Sequence, residues 1–267
     1  MAEKIGRRLE DRVAIITGGG QGVGRGIARR FAREGAAILL AQRNADQGEQ
    51  MAAELRGEFG VSAGFIKTDV TVREQVDAMV QAAVDRFGAI DILVNNAGGS
   101  FPKRLENHTD AEMAQGMDLN FWSSFWAMRA AFPHMKAKKW GRIINLGSLN
   151  GVNAHMFTAQ YNISKEAVRA LTRTAAVEWG PHGITSNVIC PAVNSPAGEI
   201  YFAANPEMMR AMELQIPRGK MGEAEADVGG VAAFLASDDA AHVNGTTQFV
   251  DGGSHINGVA WRPDVED

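Results

Sequence analysis

Seven short apolar, β-branched runs, alternating with longer helical patterns almost from end to end, constrain the architecture of this chain more than any other feature. The runs are Val13-Ala14-Ile15-Ile16, Ala37-Ile38-Leu39-Leu40, 62–66, Ile92-Leu93-Val94, Ile143-Ile144-Asn145-Leu146, 185–189 and Gln248-Phe249-Val250. Several are continuously apolar, as parallel strands covered by helices on both faces must be. Helical patterns lie near 24–34, 46–59, 72–87, 110–137, 160–179 and 223–236. Gly35, Gly60, Gly88, Gly141 and Gly180 follow the first five, where a left-handed C-terminal cap favours a residue without Cβ. This α/β order predicts a doubly wound parallel sheet with right-handed crossovers, and ligands at the carboxyl ends of its strands.

No repeat, low-complexity tract or linker divides the 267 residues, so one domain is expected over 1–267. Its core would run from about 9 to 253, with a lid over about 194–220 and a tail at 254–267. The net charge of −4 gives no reason to expect a nucleic-acid or membrane partner, and a small-molecule substrate suits it better. The single cysteine, Cys190, excludes an internal disulfide and sits in an apolar run, which favours a buried, inert thiol. Residues 1–11 are charged and lack the apolar stretch of a secretory signal. A soluble, cytoplasmic protein is the expectation.

Directly after the first run comes Thr17-Gly18-Gly19-Gly20-Gln21-Gly22-Val23-Gly24, and a helix opens there. Glycines allow a tight turn and close approach of a ligand, while the helix N-terminus offers free N–H groups to a pyrophosphate. A tight loop alone would explain the glycines equally well. Neither GxGxxG nor GxxxxGK[ST] can be aligned, which argues against ATP and GTP.

What stands is TGxxxGxG, and with it the chain resembles the short-chain dehydrogenase/reductase family. The resemblance spans about Leu9 to Gly253: Asn95-Asn96-Ala97-Gly98 matches NNAG, Tyr161-Asn162-Ile163-Ser164-Lys165 matches YxxxK, and Asp251-Gly252-Gly253 follows the last strand. It implies a single-domain, Rossmann-like, seven-stranded parallel sheet and hydride exchange with NAD(H) or NADP(H), commonly in a homotetramer.

Taken alone, a Tyr/Lys pair at i,i+4 is usually a surface contact, and Ser148 could be a helix-capping serine. The resemblance makes Tyr161 the acid/base, with the Lys165 ammonium lowering its pKa. Ser148 would hold the substrate oxygen. Asn120 is either a buried amide satisfied by backbone or, by resemblance, the holder of a water in a proton relay from Lys165. Cofactor contacts are expected from Gly18, Gly20, Gln21, Gly22, Val23, Gln42, Arg43, Asp69, Val70, Asn95, Ala97, Gly98, Tyr161, Lys165, Pro191 and Val193. Thr17 and Asn95 look more like ties between strands.

NAD-preferring relatives carry Asp where this chain has neutral Gln42, and Arg43 follows it. A guanidinium can pair with a 2′-phosphate, so NADP is the expected preference and NAD the alternative. Ala192 departs from the family's Pro-Gly after the sixth strand, and Ser195 stands one residue early for its threonine. Asn150, His155, Met156 and Gln160 are candidate pocket residues, and Tyr201, Phe202, Met208, Met209, Met212, Leu214 and Ile216 form either a lid or a packed helix face. No metal-ligand motif accompanies His155. An apolar or aromatic secondary alcohol and its ketone are the favoured substrates. A 3-oxoacyl-thioester reductase and a non-catalytic dinucleotide-binding regulator are the rival readings.

Overall fold

The computed structural model describes residues 7–194, 200 and 202–256. All seven predicted runs are strands: β1 (Val13–Thr17), β2 (Ala37–Gln42), β3 (Ala63–Lys67), β4 (Ile92–Asn95), β5 (Gly141–Leu146), β6 (Ile184–Pro191) and β7 (Thr247–Val250). They form one parallel sheet in the order β3-β2-β1-β4-β5-β6-β7. The central strands β1, β4 and β5 are buried on both faces, as continuously apolar runs require, while β7 at the edge is half-buried. Ala14, Ile16, Ile38 and Leu40 point into one core, and Ile15, Leu39 and Leu93 into the other.

Over the first core lie α1 (Gly22–Arg33) and α2 (Ala45–Phe59), which supply Ile27, Phe31, Met51 and Leu55. Val228 and Leu235 join them there, from a π-turn (Ala224–Val228) and the helix that continues it. The second core is covered by α3 (Arg73–Phe87) and the long helices between β4 and β6. The pattern over 110–137 predicts one helix. Instead α4 (Asp110–Met117) passes through a π-turn, Asp118–Trp122, into α5 (Ser123–Lys138). A short α6 (Leu149–Val152) and the long α7 (Ala159–Trp179) follow β5. Helices α8 (Pro206–Glu213) and α9 (Gly229–Ala236) follow β6.

Gly35, Gly60 and Gly88 adopt positive φ as expected. Gly141 and Gly180 do not. Lys139 (φ 53) and Gly183 (φ 73) hold those left-handed positions. Gly141 is instead required for packing, since a Cβ there would lie 2.6 Å from the Met135 sulfur. Gly229 serves this chain's own packing: its Cβ would meet the Arg30 Cβ at 2.8 Å, so α9 sits tightly on α1. Among the described residues no helix is long and apolar enough to cross a membrane.

Candidate active site

Strand order reverses between β1 and β4, which opens a crevice at their carboxyl ends. The glycine turn crosses it. Gly18 has φ 66, and a Cβ on Gly24 would lie 2.5 Å from the Asn96 amide nitrogen. Only bare backbone fits, and it leads straight into the N-terminus of α1. This is a cradle for a phosphate-bearing ligand. Val23 packs on the first core. Gln21 and Gln47 pair their amides at 3.3 Å across the opening of α1 and α2.

Thr17 and Asn95 are ties between strands. The Thr17 hydroxyl accepts from the Asn96 and Ala97 N–H groups, both at 3.0 Å. The Asn95 amide donates to Asn145 (2.8 Å), which donates to Thr172 (2.9 Å). The Asn95 amide N–H is thus engaged in tying β4 to β5. Val70 is turned into the second core. Asp69 accepts from the Thr71 N–H and hydroxyl at 3.0 and 2.7 Å, bonds that hold its carboxyl below the usual range.

Gln42 is the larger surprise. It is buried, its Oε1 accepts the Gly20 N–H at 2.6 Å, and its Nε2 donates to the Asn44 carbonyl and to Gln47. It is therefore a strut for the glycine turn. Arg43 beside it is exposed and makes no hydrogen bond or ion pair among the described residues.

Ser148 caps α6, accepting from the Asn150 N–H at 3.1 Å. Burial pushes the Tyr161 phenol above its ordinary value, the nearby Ser148 hydroxyl pulls it partly back, and Cys190 adds a smaller upward push. Lys165 lies one turn along α7, its ammonium 5.5 Å from the Tyr161 ring and bonded to the Leu146 carbonyl at 2.7 Å. Burial lowers it to about 8. Burial, rather than the expected lowering by its lysine, sets the direction of the tyrosine's shift here. Cys190 is buried and its thiol pushed up to about 11, as an inert cysteine should be.

Asn120 occupies the π-turn and is fully buried. Its Oδ1 accepts from the Gly99 N–H, and its Nδ2 donates to the Gly99 and Gly116 carbonyls, all at 3.0 Å. A Cβ on Gly98 would collide with that amide at 2.6 Å. The side chain thus clamps the loop after β4, the arrangement of a buried amide satisfied by backbone.

A cavity of about 700 Å³ opens beside Ser148. Asn150 and His155 line it, as do Pro191, Val193, Met212 and Ile216. Met156 is exposed and Gln160 buried, where it braces the Phe101 carbonyl at 2.9 Å, so neither lines it. Of the lid candidates, Met208 and Leu214 are exposed, and Met209 faces a second cavity of about 510 Å³ with Gly22, Val193 and Asn194. Ser195 and Tyr201 lie outside the described residues. The segment carrying His155 holds two non-glycine residues in the left-handed region, Ala154 (φ 51) and Phe157 (φ 67), a conformation found preferentially at functional sites. Sequence reasoning missed the contribution of Met221, Ser254 and His255 to the wall. Among the described residues no group of His, Cys, Asp and Glu is arranged to hold a metal ion.

The Ala192 backbone, where the family carries glycine, is tied into the sheet. Its N–H donates to the Val250 carbonyl (2.9 Å) and its carbonyl accepts from Gly222 (3.0 Å). Beyond it, Asn194 Oδ1 is buried without a hydrogen-bond partner among the described residues. An orphaned acceptor beside the glycine cradle fits a ligand bearing amide or hydroxyl donors, as a nicotinamide dinucleotide does.

The chain belongs to the short-chain dehydrogenase/reductase family, the NAD(P)-dependent alcohol oxidoreductases. The family model that matches it, over residues 18–255, is described as enoyl-(acyl carrier protein) reductase. It is similar to 3beta-hydroxysteroid dehydrogenase 1 of Eggerthella lenta, at 38% identity over 92% of this chain and 94% of that one. The 2,3-dihydroxy-2,3-dihydro-p-cumate dehydrogenase of Pseudomonas putida is 34% identical over 92% and 95%. Among solved structures, a candidate gluconate dehydrogenase from Agrobacterium tumefaciens superposes with a TM-score of 0.88 at 32% identity, covering 94% of this chain and 98% of that one.

Proposed function

We propose that the protein exchanges hydride between NADP(H) and a secondary alcohol or its ketone, with Tyr161 as acid/base. The observation that carries this reading is the Lys165 ammonium 5.5 Å from the Tyr161 ring, with Ser148, close enough to act on the phenol, lining the cavity. In oxidation Tyr161 takes the substrate's hydroxyl proton, and in reduction it returns one to the forming alkoxide. Ser148 holds the reacting oxygen by hydrogen bonding. Lys165 favours the phenolate electrostatically. Asn120 supports the site by fixing Gly99 and, through the widened π-turn, the relay path toward Lys165.

Gly18, Gly20, Gly22 and Ala97 would cradle the cofactor, with Gly98, Pro191 and Val193 flanking it. Arg43 would pair with a 2′-phosphate. A bound nicotinamide supplies the hydride acceptor or donor. The apolar wall of Met212, Ile216 and Met221 suits the hydrocarbon body of the substrate. Action in the cytoplasm as a homotetramer completes the proposal.

The test is a panel of aliphatic, aromatic, steroid and sugar alcohols offered with NADP+ and with NAD+, followed by nicotinamide absorbance. Turnover with NADP+ that disappears in Tyr161→Phe is expected. Turnover surviving that substitution overturns the mechanism.

A further inference from the structure

The Asp-Gly-Gly sequence after β7 builds something that hydride transfer does not require. Asp251 is buried, and its carboxylate accepts the backbone N–H of Gly253 (2.9 Å) and of His255 (2.8 Å). Both its oxygens also face the His255 Nδ1, at 3.1 and 2.9 Å. Gly252 (φ 64) and Gly253 (φ 95) turn the chain sharply under the lid, where a Cβ would strike Ile216 at 2.7 Å and Pro217 at 3.1 Å. The imidazole is then stacked on Phe249, centroids 4.1 Å apart and planes 9° from parallel. Three independent constraints fix one ring.

That ring lines the same cavity as Ser148. An ionised Asp251 demands a proton on Nδ1, since two lone pairs at this distance would repel. Nε2 is left over, and it makes no hydrogen bond among the described residues. A ring oriented by a buried carboxylate, with its other nitrogen free in a cavity wall, is arranged to meet a ligand. We propose that His255 recognises a second hydroxyl of the substrate, remote from the reacting carbon, so that the preferred substrates are diols or polyols. This rests on the alcohol dehydrogenase reading of the site.

A hydroxyl is singled out because it pairs with either form of Nε2, donating to its lone pair or accepting from its N–H. A carboxylate pairs with the cation alone, and an apolar group leaves Nε2 desolvated and unpaired. The apolar side chains of Met212, Ile216 and Met221 in the same cavity receive the carbon skeleton between the two oxygens.

The test compares kcat/KM of the purified full chain for cyclohexanol against cyclohexane-1,4-diol, and for decahydronaphthalen-2-ol against decahydronaphthalene-2,6-diol. In the wild type the diol should win by at least about tenfold in one pair, the size of effect a dedicated hydroxyl contact supports. His255→Phe keeps a flat ring against Phe249, and the ratio should fall to within about threefold of unity. His255→Gln, which keeps a donor and an acceptor, should retain part of the preference and serves if the Phe variant fails to fold. Equal values for mono-ol and diol in the wild type, or a ratio unmoved in the folded variants, overturns this assignment alone. Turnover of no probe, or turnover surviving Tyr161→Phe, overturns the reading of the site and this assignment with it.

Discussion

Gln42 Oε1 accepts the Gly20 backbone N–H at 2.6 Å, so the end of β2 holds the glycine turn from below. A Cβ on Gly20 would fall on that same carboxamide. Gly20→Ala should therefore weaken cofactor binding, and Gln42→Ala, which vacates the space, should partly rescue it. Gln42→Leu should cost about 1–3 kcal/mol by leaving a buried donor unpaired. Urea unfolding of the single and double variants, alongside cofactor titration, measures both effects. Strictly additive losses would show that the two residues act independently.

Arg43 stands exposed beside that strut. Arg43→Ala should lower NADP(H) affinity by roughly tenfold, the size of one exposed charge-assisted contact, and leave NAD(H) affinity nearly unchanged. Fluorescence titration with both reduced cofactors decides it. Unchanged NADP(H) affinity removes Arg43 from the site.

Lys165 is lowered to about 8 from its ordinary value of 10.5, so between those values the folded chain binds fewer protons than the unfolded one. Stability should then rise with pH across that window. The Tyr161 phenol, pushed above 10.0, acts in the opposite sense above it. The stability difference between wild type and Lys165→Met should shift in favour of the wild type from about pH 7.5 to about 9.5. Urea midpoints at the two pH values measure the shift, and a constant difference would mean that Lys165 does not titrate there.

Asn120 gives a prediction that separates clamp from relay. Asn120→Leu leaves the Gly99 N–H and the Gly116 carbonyl without their partner, and should destabilise by about 2–4 kcal/mol. Asn120→Asp, which keeps the acceptor for Gly99, should recover part of that stability. Thermal unfolding of both variants tests the clamp, and solvent-isotope effects on turnover test the relay.

The central strands are legible because they bury both faces, so side-chain identity alone marks them. The interruption at Asn120 is not, since a π-turn shifts the backbone ladder without disturbing the apolar pattern of 110–137. Gly141 and Gly180 were misread for a related reason: a glycine after a helix can answer to φ or to packing, and Lys139 and Gly183 carry the left-handed φ. Tyr161, Lys165 and Ser148 are legible only through the family resemblance, since their spacing alone fits a surface pair and a capping serine. Gln42 is assigned to the ligand because NAD-preferring relatives carry Asp there, and sequence does not reveal that the Gly20 N–H already claims it. Asn95 reads as a tie between strands as well as a cofactor contact, and its bond to Asn145 is such a tie. His255 was overlooked because its partner, Asp251, belongs to a turn whose path depends on the lid above it.

The two ends of the large cavity are built to different tolerances. Ser148, at one end, follows β5, which the whole sheet holds in register, and Tyr161 is anchored in α7. The far wall consists of one imidazole held by a glycine turn and a segment that leans on that turn, with the Arg218 N–H bonded to the Gly252 carbonyl at 3.1 Å. Substitutions in this second group leave the reactive end in place. A lineage, or a protein engineer, can therefore rewrite which molecules enter while inheriting the chemistry intact.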